Sequence, residues 1–469
     1  MKHITLTRRE WLRGCALLLS SLGSSRVLEG ATPAGSSVPL KVGIAETTIT
    51  PSWSTQLWGY GGLSRYSTGA LSDLFAKAFL FDWGKRFLVI TMDLGAIGFP
   101  LRRRIGHKIS KAIKIDEDAI QLNVTHDHSA PAVIPLGTMP ADPRFHDFLE
   151  DKLVMLAKAA MQGLAPATLE YGHVDSFIGL NRRVGDRANT WNKDSGPIES
   201  TFSVLLVKSP EGKNRGVIVN YPTHPVSLRP DNVKISPDFP GVLYRELGKS
   251  VGCPVAYMQG CCGDMIPKVF GTQTEMEEYG KKMAEEAQRA LAVAKPVGGS
   301  GLDYRSERVL LTFVSPYTLD ELHARYAELT QKGGEEEDWA ERLLRYLEDG
   351  GDMRQSRDTM VQALRLGDLS IAILPGEVLH LTAQLIRKDF PNQNLMIAAY
   401  SNDTSTGYLP HADEFPKGGY EVATAWKYYS TLRTTPDMER AIRETSERLL
   451  QSLLDSPAGS SRSQSQAGN

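Results

Sequence analysis

The chain has 469 residues, 41% of them hydrophobic, and 53 Lys and Arg against 55 Asp and Glu give a formal charge of -2. That length buries one large core or two ordinary ones, and interspersed charges of both signs exclude a basic nucleic-acid stripe and a polybasic membrane patch. Cys15, Cys253 and the adjacent Cys261 and Cys262 do not form a disulfide framework; one link from Cys253 to the pair is the most they allow.

Residues 1–35 read as an export signal and linker. Thr7-Arg8-Arg9-Glu10-Trp11-Leu12-Arg13 precedes a mildly apolar run to Leu22, the layout of a twin-arginine signal. The run is too short to span a bilayer, so no transmembrane segment is expected and the location is periplasmic or secreted. Residues 36–455 read as one large domain. Leu40 to Ile49 is a first strand, and Trp58-Gly59-Tyr60-Gly61-Gly62 is a loop whose small residues let backbone approach a neighbour closely. Phe75 to Phe81 and Phe87 to Met92 form a hairpin, and a basic helix follows from about Leu101 to Ile113. Ala119 to Val124 is a buried strand that delivers Thr125-His126-Asp127-His128-Ser129-Ala130-Pro131 at its end. Residues i and i+2 of an extended chain share a side, so His126 and His128 can face one metal ion, or one can bind it while the other moves a proton. An ordinary polar turn is the plainer alternative.

Asp142-Pro143 starts a helix spaced by Phe145, Leu149, Leu153, Leu156 and Ala160 up to Gly163. Thr168 to Tyr171 begins a strand, and Asn181-Arg182-Arg183 lies in the polar loop beyond it. A second hairpin, Phe202 to Val207 and Gly216 to Tyr221, ends in Pro222-Thr223-His224-Pro225. After a helix from Asp238 to Lys249, the strand Pro254 to Met258 enters Gln259-Gly260-Cys261-Cys262-Gly263-Asp264. Thr274 with Glu277 reads as the capping box of a helix that stops before Pro296. Leu302 to Val314 is a long strand, and the capping box Thr318 to Glu321 opens a helical insertion over residues 318–364, with Glu335 to Asp338 as a solvated helix start. Ser370 to Leu374 closes in Pro375-Gly376-Glu377 and a helix to about Lys388. Leu395 to Ala399 repeats the unit and leads to Tyr408. Two closing helices follow Tyr420-Glu421, and residues 456–469 are disordered by composition. The fold class is α/β, with mixed β-sheets and hairpins covered by helices. The hairpins argue against an eight-unit βα barrel, and Ala130-Pro131 stands where a metallo-β-lactamase would continue Asp-His.

Buried strands thus end at His126, His224, Glu377 and Tyr408. A catalytic zinc takes about three imidazole and carboxylate ligands and keeps one position for water, so the residue types fit. Spacing alone cannot join positions this far apart. His224 before a proline can simply end a strand, Glu377 can be a helix N-terminal carboxylate, and Tyr408 can be a core aromatic.

In collinear order over nearly the whole chain, these segments resemble the catalytic domain of the neutral/alkaline (non-lysosomal) ceramidase family. Val42-Gly43-Ile44-Ala45, Ile49-Thr50-Pro51 and Gly59-Tyr60 are similar to its opening, and Thr125 to Pro131 resembles its Thr-His-Thr-His-Ser-Gly-Pro. Asn181-Arg182, His224-Pro225-Val226-Ser227, Ser236-Pro237-Asp238, Gln259 with Gly263-Asp264, Pro375-Gly376-Glu377, and Tyr408 with Tyr420-Glu421 resemble later elements. By that resemblance His126, His224, Glu377 and Tyr408 carry Zn2+, while His128 and Arg182 line the reaction centre. Arg182 or Tyr408 would hold an oxyanion, His128 would pass a proton to the leaving amine, and Asp93 and Asp264 would orient the histidines.

The implied activity is hydrolysis of an amide C–N bond by metal-activated water, with a small-molecule or lipid amide as substrate. Ile266 stands where the family has a serine, and Asp127 and Ala130 depart from the strand-end motif. Loss of that hydroxyl argues against a serine nucleophile and for water. The larger members have an extra C-terminal β-sandwich, for which no counterpart is expected here. Two alternatives remain: a catalytically altered binding protein on the same scaffold, and a metal-dependent hydrolase of a non-lipid amide or ester.

Overall fold

The computed structural model describes residues 38–183, 196–332, 336–429 and 432–456. The segment read as an export signal, Glu335 and the tail after residue 456 lie outside the described residues. The first sheet is built from β1 (Lys41–Thr48), the hairpin β2 (Phe75–Trp83) and β3 (Lys85–Met92), and β4 (Ile120–Val124), with α1 (Phe99–Ile113) crossing between β3 and β4. Asp142 caps α2 (Pro143–Gln162) as expected, its Oδ1 accepting from the backbone of Arg144 and Phe145 at 3.0 and 3.3 Å. A short β5 (Ala165–Pro166) closes the sheet in the order β4-β3-β2-β1-β5.

The second sheet starts with β6 (Thr168–Asp175); β7 (Gly179–Asn181) leaves it, and the hairpin β8 (Thr201–Lys208) and β9 (Asn214–Tyr221) continues it. After α3 (Phe239–Val251) comes β10 (Val255–Gln259), then β11 (Met265–Pro267), which pairs with β7, then α4 (Gln273–Ala292) and β12 (Lys295–Pro296). Its order is β10-β9-β8-β6-β12. The helix cap falls at Thr272, which bonds Glu275, and not at Thr274; Thr272 to Glu275 is an equally good box one step nearer the glycine turn.

The third sheet opens with β13 (Leu302–Val314). The helices α5 (Leu319–Lys332) and α6 (Glu336–Glu348) follow, and the chain then returns as β14 (Arg354–Leu366). The expected helical insertion over 318–364 therefore ends at Glu348. Beyond the turn at Gly350-Gly351 the segment is a strand, because pairing antiparallel with β13 along its whole length satisfies a full ladder that a short charged helix could not match. The rest comprises β15 (Leu369–Ile373), β16 (Glu377–Val378), α7 (His380–Asp389), β17 (Asn394–Ala398), β18 (Tyr408–Leu409) and α8 (Asp437–Asp455), with sheet order β13-β14-β15-β17. The first of the two expected closing helices is instead a pair of tight turns over Tyr420–Thr424 and Ala425–Lys427. The three cysteines among the described residues are free. No helix among the described residues is long and apolar enough to cross a membrane.

Each sheet presents one parallel edge strand, β4, β10 or β17, and the three edges meet. Open edges bury unsatisfied backbone, so side-chain amides complete them. Asn123 accepts from the Gln259 backbone at 2.9 Å and donates to Ala399 O at 2.6 Å. Asn220 donates to Met258 O at 2.9 Å and Ile397 O at 3.0 Å. Gln259 Nε2 donates to Thr125 O at 2.7 Å and Thr223 O at 2.9 Å. All three amides are buried.

Removing the Gln259 amide leaves two buried carbonyls without this donor, at about 1–3 kcal/mol each. Gln259→Ala is expected to lower unfolding free energy by about 3 kcal/mol in urea denaturation. A loss below about 1 kcal/mol would show that the stitch is not needed.

Candidate metal centre

The site forms where chain leaves the converging edges. His126 follows β4 with φ 67°, a left-handed backbone that costs a residue other than glycine about 1–3 kcal/mol. The two histidines of the motif therefore do not sit on an extended strand, yet their rings still meet, with Nε2 atoms 3.4 Å apart. His126 Nδ1 lies 2.7 Å from Gly95 O, and His224 Nδ1 lies 2.6 Å from Cys262 O and 3.1 Å from Met265 O. A ring that donates Nδ1–H to a carbonyl and is neutral turns its Nε2 lone pair the other way.

Both lone pairs point at Glu377. Its Oε2 is 3.0 Å from His126 Nε2 and 3.5 Å from His224 Nε2. Glu377 stands on β16, whose partner β18 places Tyr408 directly opposite in register. Tyr408 Oη is 3.4 Å from His224 Nε2 and accepts from Arg182 Nη2 at 2.9 Å. Arg182 Nε donates to Glu421 at 2.8 Å, and a further Arg182 bond reaches Gly263 O at 2.8 Å. Tyr429 donates to the other oxygen of Glu377, and Tyr400 lies 3.4 Å from Oε2.

His128 completes the group and is less buried than His126 or His224. Ligand nitrogens of His126, His128 and His224 lie within 4.8 Å of one another. The rings of Trp58 and Tyr60 meet His128 edge-on at 5.4 and 4.9 Å. Gly59 between them has φ 104°, and a Cβ there would sit 2.6 Å from His128 Cγ. The close approach expected of this loop is to His128. His128 Nδ1 is buried with no hydrogen-bond partner among the described residues.

Burial opposes ionisation throughout, and neighbours decide the outcome. It pushes His224 down to about 4. Burial, with the His126 and His224 rings beside it, holds His128 well below the usual imidazole range. Burial would raise Glu377, but His126 and His224 outweigh it and keep the carboxyl below the usual carboxylate range. Burial lowers Arg182 less than Tyr408 and Glu421 raise it, so it stays cationic, and burial raises the Tyr408 phenol. The lowered Glu377 carboxyl calls for positive charge at the two Nε2 atoms, and with both rings neutral a metal ion would supply it. The donor set suits Zn2+.

All six residues singled out by sequence, His126, His128, Arg182, His224, Glu377 and Tyr408, converge. Asp93 and Asp264 do not orient the histidines. Asp93 accepts from Tyr244 at 2.7 Å and Phe75 N at 2.8 Å, Asp264 pairs with His380, and backbone carbonyls take the imidazole N–H groups instead. Sequence reasoning missed Tyr400, Tyr429 and the Gly95 carbonyl. Tyr400 directly follows the strand ending at Ala399 and was open to the same strand-end argument as Tyr408. Tyr429 lies in tight turns that carry no periodicity.

The chain matches the family model described as neutral/alkaline non-lysosomal ceramidase, N-terminal, over residues 40–301. It is 25% identical over 275 residues to the neutral ceramidase of Pseudomonas aeruginosa, a match covering 54% of this chain and 40% of that relative's length. The crystal structure of neutral ceramidase from Pseudomonas aeruginosa superposes with a TM-score of 0.70 at 19% identity, covering 90% of this chain and 76% of the other. A ceramidase complexed with C2 gives 0.71 at 18%, covering 91% and 77%. At these identities the structures establish the shared mixed α/β fold.

Gly212 also has positive φ, 86°, but an added Cβ there meets nothing within 4 Å. Gly212→Ala is expected to cost about 1 kcal/mol from backbone strain alone. Gly59→Ala is expected to cost about 2–3 kcal/mol, because His128 must also move. Equal costs in urea unfolding would show that Gly59 is not shaped by His128.

Proposed function

Because the chain belongs to the neutral/alkaline non-lysosomal ceramidase family, we propose that it hydrolyses the amide bond of an N-acyl substrate at a Zn2+ ion held by His126, His224, Glu377 and Tyr408. The observation that carries this reading is the convergence of two imidazole Nε2 atoms on Glu377 Oε2, at 3.0 and 3.5 Å. Bound there, Zn2+ supplies a Lewis acid that brings the pKa of a coordinated water to ~7 and polarises a carbonyl.

The protein's own groups supply the rest. The Arg182 guanidinium, 2.9 Å from Tyr408 Oη, keeps positive charge beside the phenol, so the two can hold a carbonyl oxygen as it gains negative charge. The Glu421 carboxylate fixes the guanidinium's direction at 2.8 Å. His128, with its Nε2 beside His126 and its ring between Trp58 and Tyr60, stands where it can take a proton and return it to the leaving amine. Ile266 is fully buried against Leu180 and Val226 and offers no hydroxyl, which supports water and not a protein side chain as the attacking group. The twin-arginine reading of residues 1–35 belongs to the same proposal, in which the enzyme acts outside the cytoplasm.

Two outcomes are expected. Zn2+ at about one hundred times its Kd should stabilise the protein by about 2.7 kcal/mol in thermal or urea unfolding, and His126→Ala and Glu377→Gln should abolish that gain. On N-acyl amide substrates Tyr408→Phe should lower kcat about 100- to 1,000-fold with little change in KM, and chelation should stop turnover reversibly. Zn2+ binding without turnover of any acyl amide or ester would instead identify a binding protein on the same scaffold.

A further inference from the structure

Three residues past Glu377, at the start of α7, His380 forms a second buried pair. His380 Nδ1 is 2.6 Å from Asp264 Oδ2, and the His380 backbone N–H donates to Asp264 Oδ1 at 2.9 Å. The two residues are 7% and 1% exposed, so the contact is not a solvated surface bridge. Nothing in the proposed chemistry uses it.

Its place in the fold gives it consequence. Asp264 and Gly263 form the turn between β10 and β11, and that turn is bonded to both sides of the centre. Asp264 O accepts from the Arg182 backbone N–H at 2.8 Å, and Gly263 O accepts from the Arg182 guanidinium at 2.8 Å. On the other side Gly263 N–H donates to Val378 O at 2.9 Å, next to Glu377. There is no slack: a Cβ on Gly263 would stand 2.9 Å from Glu377 O.

We propose that His380 is a positioning residue for the candidate centre: paired with Asp264, it locks the Gly263–Asp264 turn against the start of α7 and so sets Glu377 and the Arg182 guanidinium relative to each other. The proposal rests on the reading of Glu377 as a ligand and Arg182 as the oxyanion donor.

The charged groups that face His380 are Asp264, Glu199 and Glu414, with the Asn181 amide 3.4 Å from Nδ1; Asp264 faces His380 and Arg182. Burial works against both charges, yet Asp264 outweighs it and raises His380, and His380 outweighs it and lowers Asp264. A raised histidine contributes stability below its unfolded value of about 6.5 and loses it as pH rises through the folded value. A depressed aspartate contributes above its own unfolded value and loses it as pH falls through the folded one. The lock therefore holds between the folded value of Asp264 and that of His380, and it releases as pH rises through the latter.

The test uses the full chain loaded with Zn2+, with affinity read by competition against a chromogenic chelator and kcat and KM read on an N-acyl amide. His380→Gln, which keeps a donor and loses the charge, is expected to weaken Zn2+ binding roughly 10- to 100-fold at pH 7 and to lower kcat with KM unchanged. The ratio of wild-type to variant affinity should shrink toward one as pH rises through the folded value of His380, where the wild-type ring loses its own charge. Should His380→Gln not fold, the near-isosteric Asp264→Asn carries the same expectation. A variant with a lower melting temperature but Zn2+ affinity within about twofold of wild type at every pH overturns the proposal, because a merely structural pair would behave that way. Shifted Zn2+ affinity in a protein that turns over no amide supports the positioning role while removing the hydrolase reading. A wild-type protein that binds no Zn2+ overturns both.

Discussion

Three sheets share one seam, and it is closed by amide side chains. β4, β10 and β17 are each the last strand of a sheet, each paired in parallel to its inner neighbour, and each would otherwise bury a row of unmet N–H and C=O groups. Asn123, Asn220 and Gln259 reach across and bond the neighbouring backbones, while Val124 N–H to Tyr400 O at 3.1 Å and Ala399 N–H to Gln259 O at 3.1 Å add main-chain links. A buried amide has donors and acceptors in two directions, so it can join edges whose directions differ, where a regular ladder cannot continue. Apolar side chains would pack the seam and leave its backbone unpaired.

That seam is why residues distant in sequence share one volume. Each edge strand is followed by an irregular segment, and those segments hold His126, the Gly263–Asp264 turn and Tyr400. Where the chain leaves β4 and β17 the backbone takes left-handed turns at His126, Tyr400 and Asn402, with φ of 67°, 53° and 66°. Such turns persist only where surrounding bonds determine them, and here they do: His126 N–H donates to Leu94 O at 2.9 Å and Asn402 N–H to Leu122 O at 2.7 Å. The strain sets where the imidazoles stand, and the seam keeps it in place.

Much of this was legible in the residues. Both hairpins, the strands before His126 and His224 and the Asp142 cap follow from periodicity and turn chemistry, which are local, whereas Glu377 and Tyr408, expected to end buried strands, instead open the short strands β16 and β18. What was not legible is long-range. β14 read as helix because its charged first half lacks a clean alternation, and only β13 alongside it makes it a strand. The orienting partners of His126 and His224 are backbone carbonyls, and every residue has one, so no side-chain pattern could single out Gly95 or Cys262. Carboxylates were the natural guess for that role, but Asp93 and Asp264 are spent on Tyr244 and His380. Gln259 and Asn123 carry no local signal of their role, yet they are among the residues that join the sheets.

The same contacts explain why the centre should hold a cation and not simply a polar core cluster. Arg182 and Arg183 both bond Glu421, at 2.8 and 2.5 Å, and Arg183 also bonds Glu414 at 2.9 Å, so the buried guanidiniums are taken up away from Glu377. Among the described residues, Glu377 is left with two imidazoles and the phenols of Tyr400 and Tyr429, all of which are uncharged in their ordinary neutral forms. With both imidazoles in their neutral form, a fully buried carboxylate there would be costly, and phenol hydrogen bonds recover part of that cost but not the charge. Protonating an imidazole would supply a cation, but burial pushes the His224 pKa down to about 4. A metal ion held by the nitrogens and Glu377 would supply the missing charge and satisfy several lone pairs at once, whereas a proton can satisfy only one.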